Sequence, residues 1–165
     1  MNKLKQISPK NIIYCDEVGI ESNIAAMYGW SAKGKRSYVE REGRSKERRN
    51  IVAGYNLGKL IAPLEYVGNT DTGIFLDWIE QHLCPTLVKG QTVILDNASF
   101  HKSGKIKEAI EKVGCNLLYL PPYSPDLNPI EHCWANFKNC LRKIRRKFDS
   151  LESAIAETMR ITFPI

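Results

Sequence analysis

The chain has no run of about 18 apolar residues, so nothing in it reads as a membrane-spanning helix and no membrane partner is expected. It opens Met1-Asn2-Lys3-Leu4-Lys5, without an apolar signal segment. Its five cysteines, at positions 15, 84, 115, 133 and 140, form an odd set without a Cys-x-x-Cys pair. That spacing argues against a disulfide framework and for free thiols in a reducing, cytoplasmic setting. His132, Cys133 and Cys140 lack the ligand-pair spacing of a zinc module. What remains is a globular composition, 43% hydrophobic and 25% charged over 165 residues. This is enough for one domain with a sizeable core and too little for two.

Acidic residues are absent from residues 138–147, where six Lys or Arg stand together, and residues 33–49 carry eight basic residues against three Glu. With a net charge of only +6, the rest of the chain is acidic. One reading of such runs is a solvated face. The other is a polyanion partner, because each phosphate neutralised by Lys or Arg releases condensed counterions.

Residues 11–18 read as a strand that ends in acid, with Ile13, Cys15 and Glu17 on one face and Ile12, Tyr14 and Asp16 on the other. Residues 25–30 read as a second strand, with Trp30 packing at its end. Residues 49–57 and 60–67 read as two more, joined by a tight turn at Gly58-Lys59. Thr70 or Asp71 caps a helix with Ile74, Phe75, Trp78, Ile79 and Leu83 at helical spacing, limited or kinked by Pro85; His82 on it is a surface or satisfied histidine. Residues 91–96 form a strand whose continuous Val93-Ile94-Leu95 run suggests burial on both faces. Ser103 begins a helix closed by Gly114, and residues 116–120 form a further strand, so this part is a parallel crossover unit.

The loop from Pro121 to Pro129 holds four prolines in nine residues and fixes the start of the next helix. Asn128 as cap, Pro129 at the first helical position and Glu131 at the third make a regular helix start. Glu131 therefore has two readings: a capping carboxylate reaching back to Asn128, or a metal ligand. Along the helix Ile130, Trp134, Phe137, Leu141 and Ile144 form an apolar stripe, which leaves Lys138, Arg142, Arg145 and Arg146 largely off it. A last helix spans about residues 150–163, with Leu151, Ala154, Ile155 and Met159 inward.

Two motifs carry a family resemblance. Asp96-Asn97-Ala98-x-x-His101 is followed by Leu120-Pro121-Pro122-Tyr123-Ser124-Pro125-Asp126-Leu127-Asn128-Pro129-Ile130-Glu131-x-x-Trp134, with 34 residues between Asp96 and Glu131. Together with Tyr14-Cys15-Asp16-Glu17 and Tyr28-Gly29-Trp30-Ser31-x-Lys33-Gly34, they resemble the catalytic domain of DDE transposases in the bacterial insertion-sequence branch of the mariner superfamily. The likeness covers about residues 11–147.

The resemblance implies an α/β chain of ribonuclease H-like fold, a mixed five-stranded sheet with helices on both faces. Periodicity alone implies only an α/β sheet. It also implies a catalytic trio of Asp16, Asp96 and Glu131 holding two Mg2+ ions, for which Mn2+ substitutes, with Asp96 bridging both. Glu17 is the alternative ligand to Asp16. Hard cations take oxygen ligands and keep waters, so a few carboxylates plus phosphate oxygens suit them. Asn97 would orient a ligand, and His101 would position a phosphate or pack the loop. Lys33, Lys35, Arg36, Arg142 and Arg146 would contact the DNA backbone.

The expected activity is strand cleavage and strand transfer at transposon ends, with transposon and target DNA as partners and a homodimer as a possible assembly. A nuclease that only hydrolyses and an inactive DNA-binding remnant are the competing readings. Only about ten residues precede the first strand, so the helix-turn-helix region of the family is expected to be absent from this chain.

Overall fold

The computed structural model describes residues 6–22, 24, 31–36, 47–122 and 124–163. The expected strand at residues 25–30, the role of Trp30 and most of the first basic run lie outside them. Five strands form one mixed sheet: β1 (Ile12–Glu21), β2 (Arg48–Asn56), β3 (Lys59–Val67), β4 (Thr92–Leu95) and β5 (Asn116–Tyr119), in the order β3-β2-β1-β4-β5. β1, β2 and β3 pair antiparallel, while β4 runs parallel to β1 and β5 parallel to β4.

β1 is the central strand, and its β-branched residues are buried on both faces. It runs three residues beyond the expected end at Val18. The cause is β2, whose Asn50, Arg49 and Arg48 pair with Gly19, Ile20 and Glu21, while Ile20 is buried. Asp16 and Glu17 therefore lie within β1 and not at its end. On its other side β1 pairs with β4 only through Ile12, Ile13 and Tyr14, so its carboxyl-terminal half has no β4 partner.

The β2–β3 turn also departs from expectation. Leu57 and Gly58, at φ of 46° and 88°, are its two central residues, and Lys59 already belongs to β3. Positive φ at both places is the geometry that matches the twist of a hairpin. Further along, Val52 pairs with Leu64 but Gly54 with Ile61, so β3 bulges at Ala62 and Pro63. The Ala62 carbonyl freed there accepts the Trp78 indole N–H at 2.7 Å, tying the first helix to the sheet.

That helix, α1 (Thr72–Trp78), is capped by Asp71, whose Oδ1 accepts the Ile74 N–H at 2.9 Å. It continues as a π turn over Ile79–Leu83 and a 3-10 turn over Cys84–Thr86 containing Pro85. α2 (Gly104–Lys112) closes at Gly114, which has a positive φ. Both lie on one face of the sheet, where Phe75, Trp78, Ile79, Leu83, Ile106 and Ile110 pack on Ile13, Cys15, Val52, Val93 and Leu95. α3 (Ile130–Ile144) and α4 (Leu151–Thr162) cover the other. There Ile130, Trp134, Phe137, Leu141, Leu151, Ala154 and Ile155 pack on Val18, Ile20, Ile51 and Ala53.

This is the ribonuclease H-like arrangement, with helices on both faces. None of the five cysteines forms a disulfide. No helix of the described residues is long and apolar enough to cross a membrane.

Candidate active site

The alternation of β1 sends Asp16 towards the α3 face and Glu17 towards the α1 face. Even-numbered neighbours Val18 and Ile20 pack with α3 and α4, and odd-numbered Ile13 and Cys15 pack with α1 and α2. The last β1–β4 pair is Tyr14 with Ile94. Continuing that parallel register by two places sets Asp96, the first residue but one after Ile94, beside Asp16. The short β4 thus ends where its carboxylate meets the unpaired flank of β1.

Asp16 is 8% exposed and its pKa is raised from 3.8 to about 8. Burial is the largest cause, followed by the negative charges of Glu17, Glu131 and, more weakly, Asp96; a backbone hydrogen bond at Glu17 opposes them. Glu131 and Asp96, both remote from Asp16 in sequence, are therefore close enough to oppose its ionisation. Glu131 reaches this place from the first turn of α3. No side chain caps that helix, whose cap position is Pro129, and the Glu131 N–H bonds to the Asn128 carbonyl at 3.1 Å. The capping role open to Glu131 in the sequence is thus not the one it plays. Asn128 is buried and its side-chain oxygen lacks a hydrogen-bond partner.

Glu131 borders two cavities. One, of about 440 Å³, is shared with Asp96, Asn97, Leu120, Pro121 and Ser124. The other, of about 420 Å³, runs along α3 between Glu17, Val18 and Gly19 on β1 and Trp134, Lys138 and Arg142 on the helix. Arg142 also holds Asn139 at 2.8 Å. Of the expected basic contacts, Arg142 lines a cavity with one member of the trio, Glu131. Arg146 is exposed in the 3-10 turn after α3, and Lys33, Lys35 and Arg36 are exposed in the short described segment 31–36.

Asp96 is held from behind. Its Oδ1 accepts the Ala98 N–H at 3.0 Å and lies 2.5 Å from His101 Nδ1, and that hydrogen bond is the main reason its pKa is lowered. His101 is wholly buried, against Phe75 and Phe100. Its other nitrogen, Nε2, lies 3.4 Å from Glu17 Oε2, an ion-pair contact without hydrogen-bond geometry. Burial alone would lower the His101 pKa; the Asp96 and Glu17 contacts outweigh it and raise the value from 6.5 to about 9. Sequence reasoning missed the Glu17–His101 contact. The available signal was the β1 alternation, which aims Glu17 at an apolar face where a carboxylate needs a partner.

As they stand, no three His, Cys, Asp or Glu side chains of the described residues converge on a point where one ion would touch them all. The chemistry of Asp16, Asp96 and Glu131 nonetheless fits a hard divalent cation: oxygen donors only, with Asp16 kept from ionising first by burial and then by neighbouring carboxylates.

A mixed sheet in the order 3-2-1-4-5, with acids on its central strand, after its fourth strand and on a late helix, defines a ribonuclease H-like domain of the nuclease type. Residues 11–155 match the sequence profile of the DDE superfamily endonuclease family, and the chain belongs to that family. It is 34% identical over 97 residues to the Tcb1 transposase of Caenorhabditis briggsae, covering 53% of this chain and 36% of that protein. To the Tcb2 transposase of the same organism it is 32% identical over 112 residues, covering 62% and 41%. The chain thus spans well under half the length of these relatives.

Among solved structures, the Mos1 strand transfer complex matches with a TM-score of 0.78 at 19% identity, over 98% of this chain and 50% of that one. The catalytic domain of Mos1 mariner transposase matches with a TM-score of 0.64 at 15% identity, over 98% and 74%. The homology is to Tc1/mariner transposases, and these structural likenesses bear on the fold.

Proposed function

We propose that this chain is the catalytic domain of a DDE transposase, cutting DNA at transposon ends and joining the freed 3′ hydroxyl to a target. The observation that carries this reading is that Glu131 on α3 and Asp96 after β4 lie near enough to Asp16 on β1 for their charges to oppose its ionisation. Membership of the endonuclease family and the transposase relatives support it. Mos1 paired-end complexes solved with Mn and with Mg, which share the fold, support divalent ions as its cofactor.

In this reading Asp16, Asp96 and Glu131 hold two Mg2+ ions, or Mn2+ in their place. Bound there, such ions would supply activation of the attacking oxygen and stabilisation of the leaving one in an in-line displacement at phosphorus. The chain's own contribution is to place the carboxylates. β1 and β4 set Asp16 and Asp96 side by side, and the proline-rich loop fixes the α3 start that presents Glu131. Asn97, in the wall of the Asp96 cavity, orients the phosphate or a ligand there. Lys138 and Arg142 neutralise a DNA backbone running along α3, with Arg146, Lys33, Lys35 and Arg36 as outer contacts.

The narrower placement in the insertion-sequence branch rests on the motif from Leu120 to Glu131. A homodimer acting on nucleoid DNA in the cytoplasm completes the proposal.

The test is a Mn2+ titration followed by electron paramagnetic resonance, paired with an assay that joins a 3′-hydroxyl oligonucleotide to a supercoiled plasmid. Tight Mn2+ binding and joined product, both lost in Asp96→Asn, are expected. Nicking without joining would leave a purely hydrolytic nuclease. A chain that neither binds Mn2+ nor cuts in its presence sinks the reading.

A further inference from the structure

We propose that Glu17 is a positioning residue that acts through His101 to orient the Asp96 carboxylate. This inference rests on the metal-site reading above and adds to it a residue on the opposite face of the sheet. Glu17 is adjacent in sequence to Asp16 but leaves β1 on the other side, towards α1. There it meets His101 Nε2 at 3.4 Å, while Nδ1 of the same ring lies 2.5 Å from Asp96 Oδ1. One imidazole thus links a carboxylate on β1 with a carboxylate after β4, across the two strands that carry the site.

The link is rigid. The His101 ring is fully buried, with its centroid 4.2 Å from that of Phe75 and 4.3 Å from that of Phe100. Its carbonyl accepts the Tyr119 hydroxyl at 2.7 Å, and its own N–H bonds to the Ala98 carbonyl at 3.2 Å. Among the described residues, the hydrogen bonds to the Asp96 carboxylate all go to Oδ1, from His101 and from the Ala98 N–H. Oδ2 makes no hydrogen bond among the described residues, and Asp96 lines the cavity it shares with Glu131.

Glu17 determines which way the ring faces. With an anion at Nε2, that nitrogen carries a proton, and with an anion at Nδ1 the other does too, so a flipped ring gains nothing. Take Glu17 away and the buried Nε2 loses the anion beside it, which frees the ring to reorient. Outer groups of this kind commonly tune metal affinity by about 10- to 100-fold.

Glu17 also borders the cavity that holds Glu131, so the competing role is that of a ligand in its own right. A double-mutant cycle on the full chain separates the two, with Mn2+ affinity measured by electron paramagnetic resonance. His101→Asn keeps an N–H donor beside Asp96 but has no second nitrogen to reach Glu17. Glu17→Ala and His101→Asn should each weaken Mn2+ binding about 10-fold, and the double variant no further, because both cut one chain of contacts. Glu17→Gln, whose amide oxygen can accept from the Nε2–H, should recover most of the loss.

Additive losses would make Glu17 a ligand and overturn the proposal, as would a Glu17→Ala chain that binds Mn2+ normally. Should His101→Asn not fold, the comparison of Glu17→Ala with Glu17→Gln decides alone: equal weakness overturns positioning by hydrogen bonding. Asp96→Asn is the control. If it leaves Mn2+ binding intact, the metal-site reading falls and this inference with it; if it abolishes binding while Glu17→Ala does not, only the inference falls.

Discussion

Tyr14 and Ile94 form the last parallel pair between β1 and β4, two residues before Asp16 on one strand and two before Asp96 on the other. The sheet opens at the point where its two strand-borne acids stand. Because β1 continues to Glu21 on the strength of its pairing with β2, the opening has one rigid wall, and α3 supplies the other.

That geometry makes the acids non-redundant. Asp96→Asn and Glu131→Gln should each lower metal-dependent strand cleavage by about a hundred-fold or more, since bound metal supplies several kcal/mol of charge stabilisation. Circular dichroism should show both variants folded. Cleavage within a factor of about three of the parent, by either variant, would remove that residue from the trio.

Metal-free stability should fall as pH rises. The folded pKa of Asp16, about 8, lies above its ordinary 3.8. Its contribution is therefore fully present below about pH 4 and is lost as pH rises through about 8. His101, raised from 6.5 to about 9, acts in the same direction at the upper end, present below about 6.5 and lost through about 9. Urea midpoints in chelator should decline from pH 6 to pH 9, and Asp16→Asn should flatten the part below pH 8. A midpoint that climbs over this range contradicts both assignments.

Phe137 is fully buried between α3 and the sheet, edge-on to Trp134. Phe137→Ala should cost about 3–5 kcal/mol, from lost burial and the cavity left behind. Urea unfolding measures it, and a loss below about 1 kcal/mol would mean α3 is not anchored there.

Leu57 sits in the hairpin turn at φ 46°, exposed, in a region that costs a non-glycine residue about 1–2 kcal/mol. Leu57→Asn should raise stability by about 0.5–1 kcal/mol, because asparagine tolerates that conformation and the apolar side chain gains nothing from burial. A lower melting temperature would show that the strain is relieved elsewhere.

The helices were legible where an apolar stripe and a cap coincide, as in α1 with Asp71 and α3 with Ile130, Trp134, Phe137 and Leu141. Strand ends were less so. Val18 looked like the end of β1 because acids precede it and a glycine follows, yet the partner strand carries β1 onward to Glu21. The turn slipped by one residue because Gly58 was placed first in it, while the fold puts Leu57 into the positive-φ position before it.

For the site, the amino-acid sequence determined the identity of the acids and, through the two-residue period of a strand, that Asp16 and Glu17 leave β1 on opposite faces. It also determined the spacing and rigidity that deliver Glu131 at a helix start. Whether Glu131 capped its own helix or faced Asp16 was open locally, since both uses suit the same position. The tertiary structure decided it, along with the burial of His101 and its link from Asp96 to Glu17. Those are contacts between strands and loops far apart in the chain. They depend on sheet order and on how far β4 runs, which local propensity does not encode.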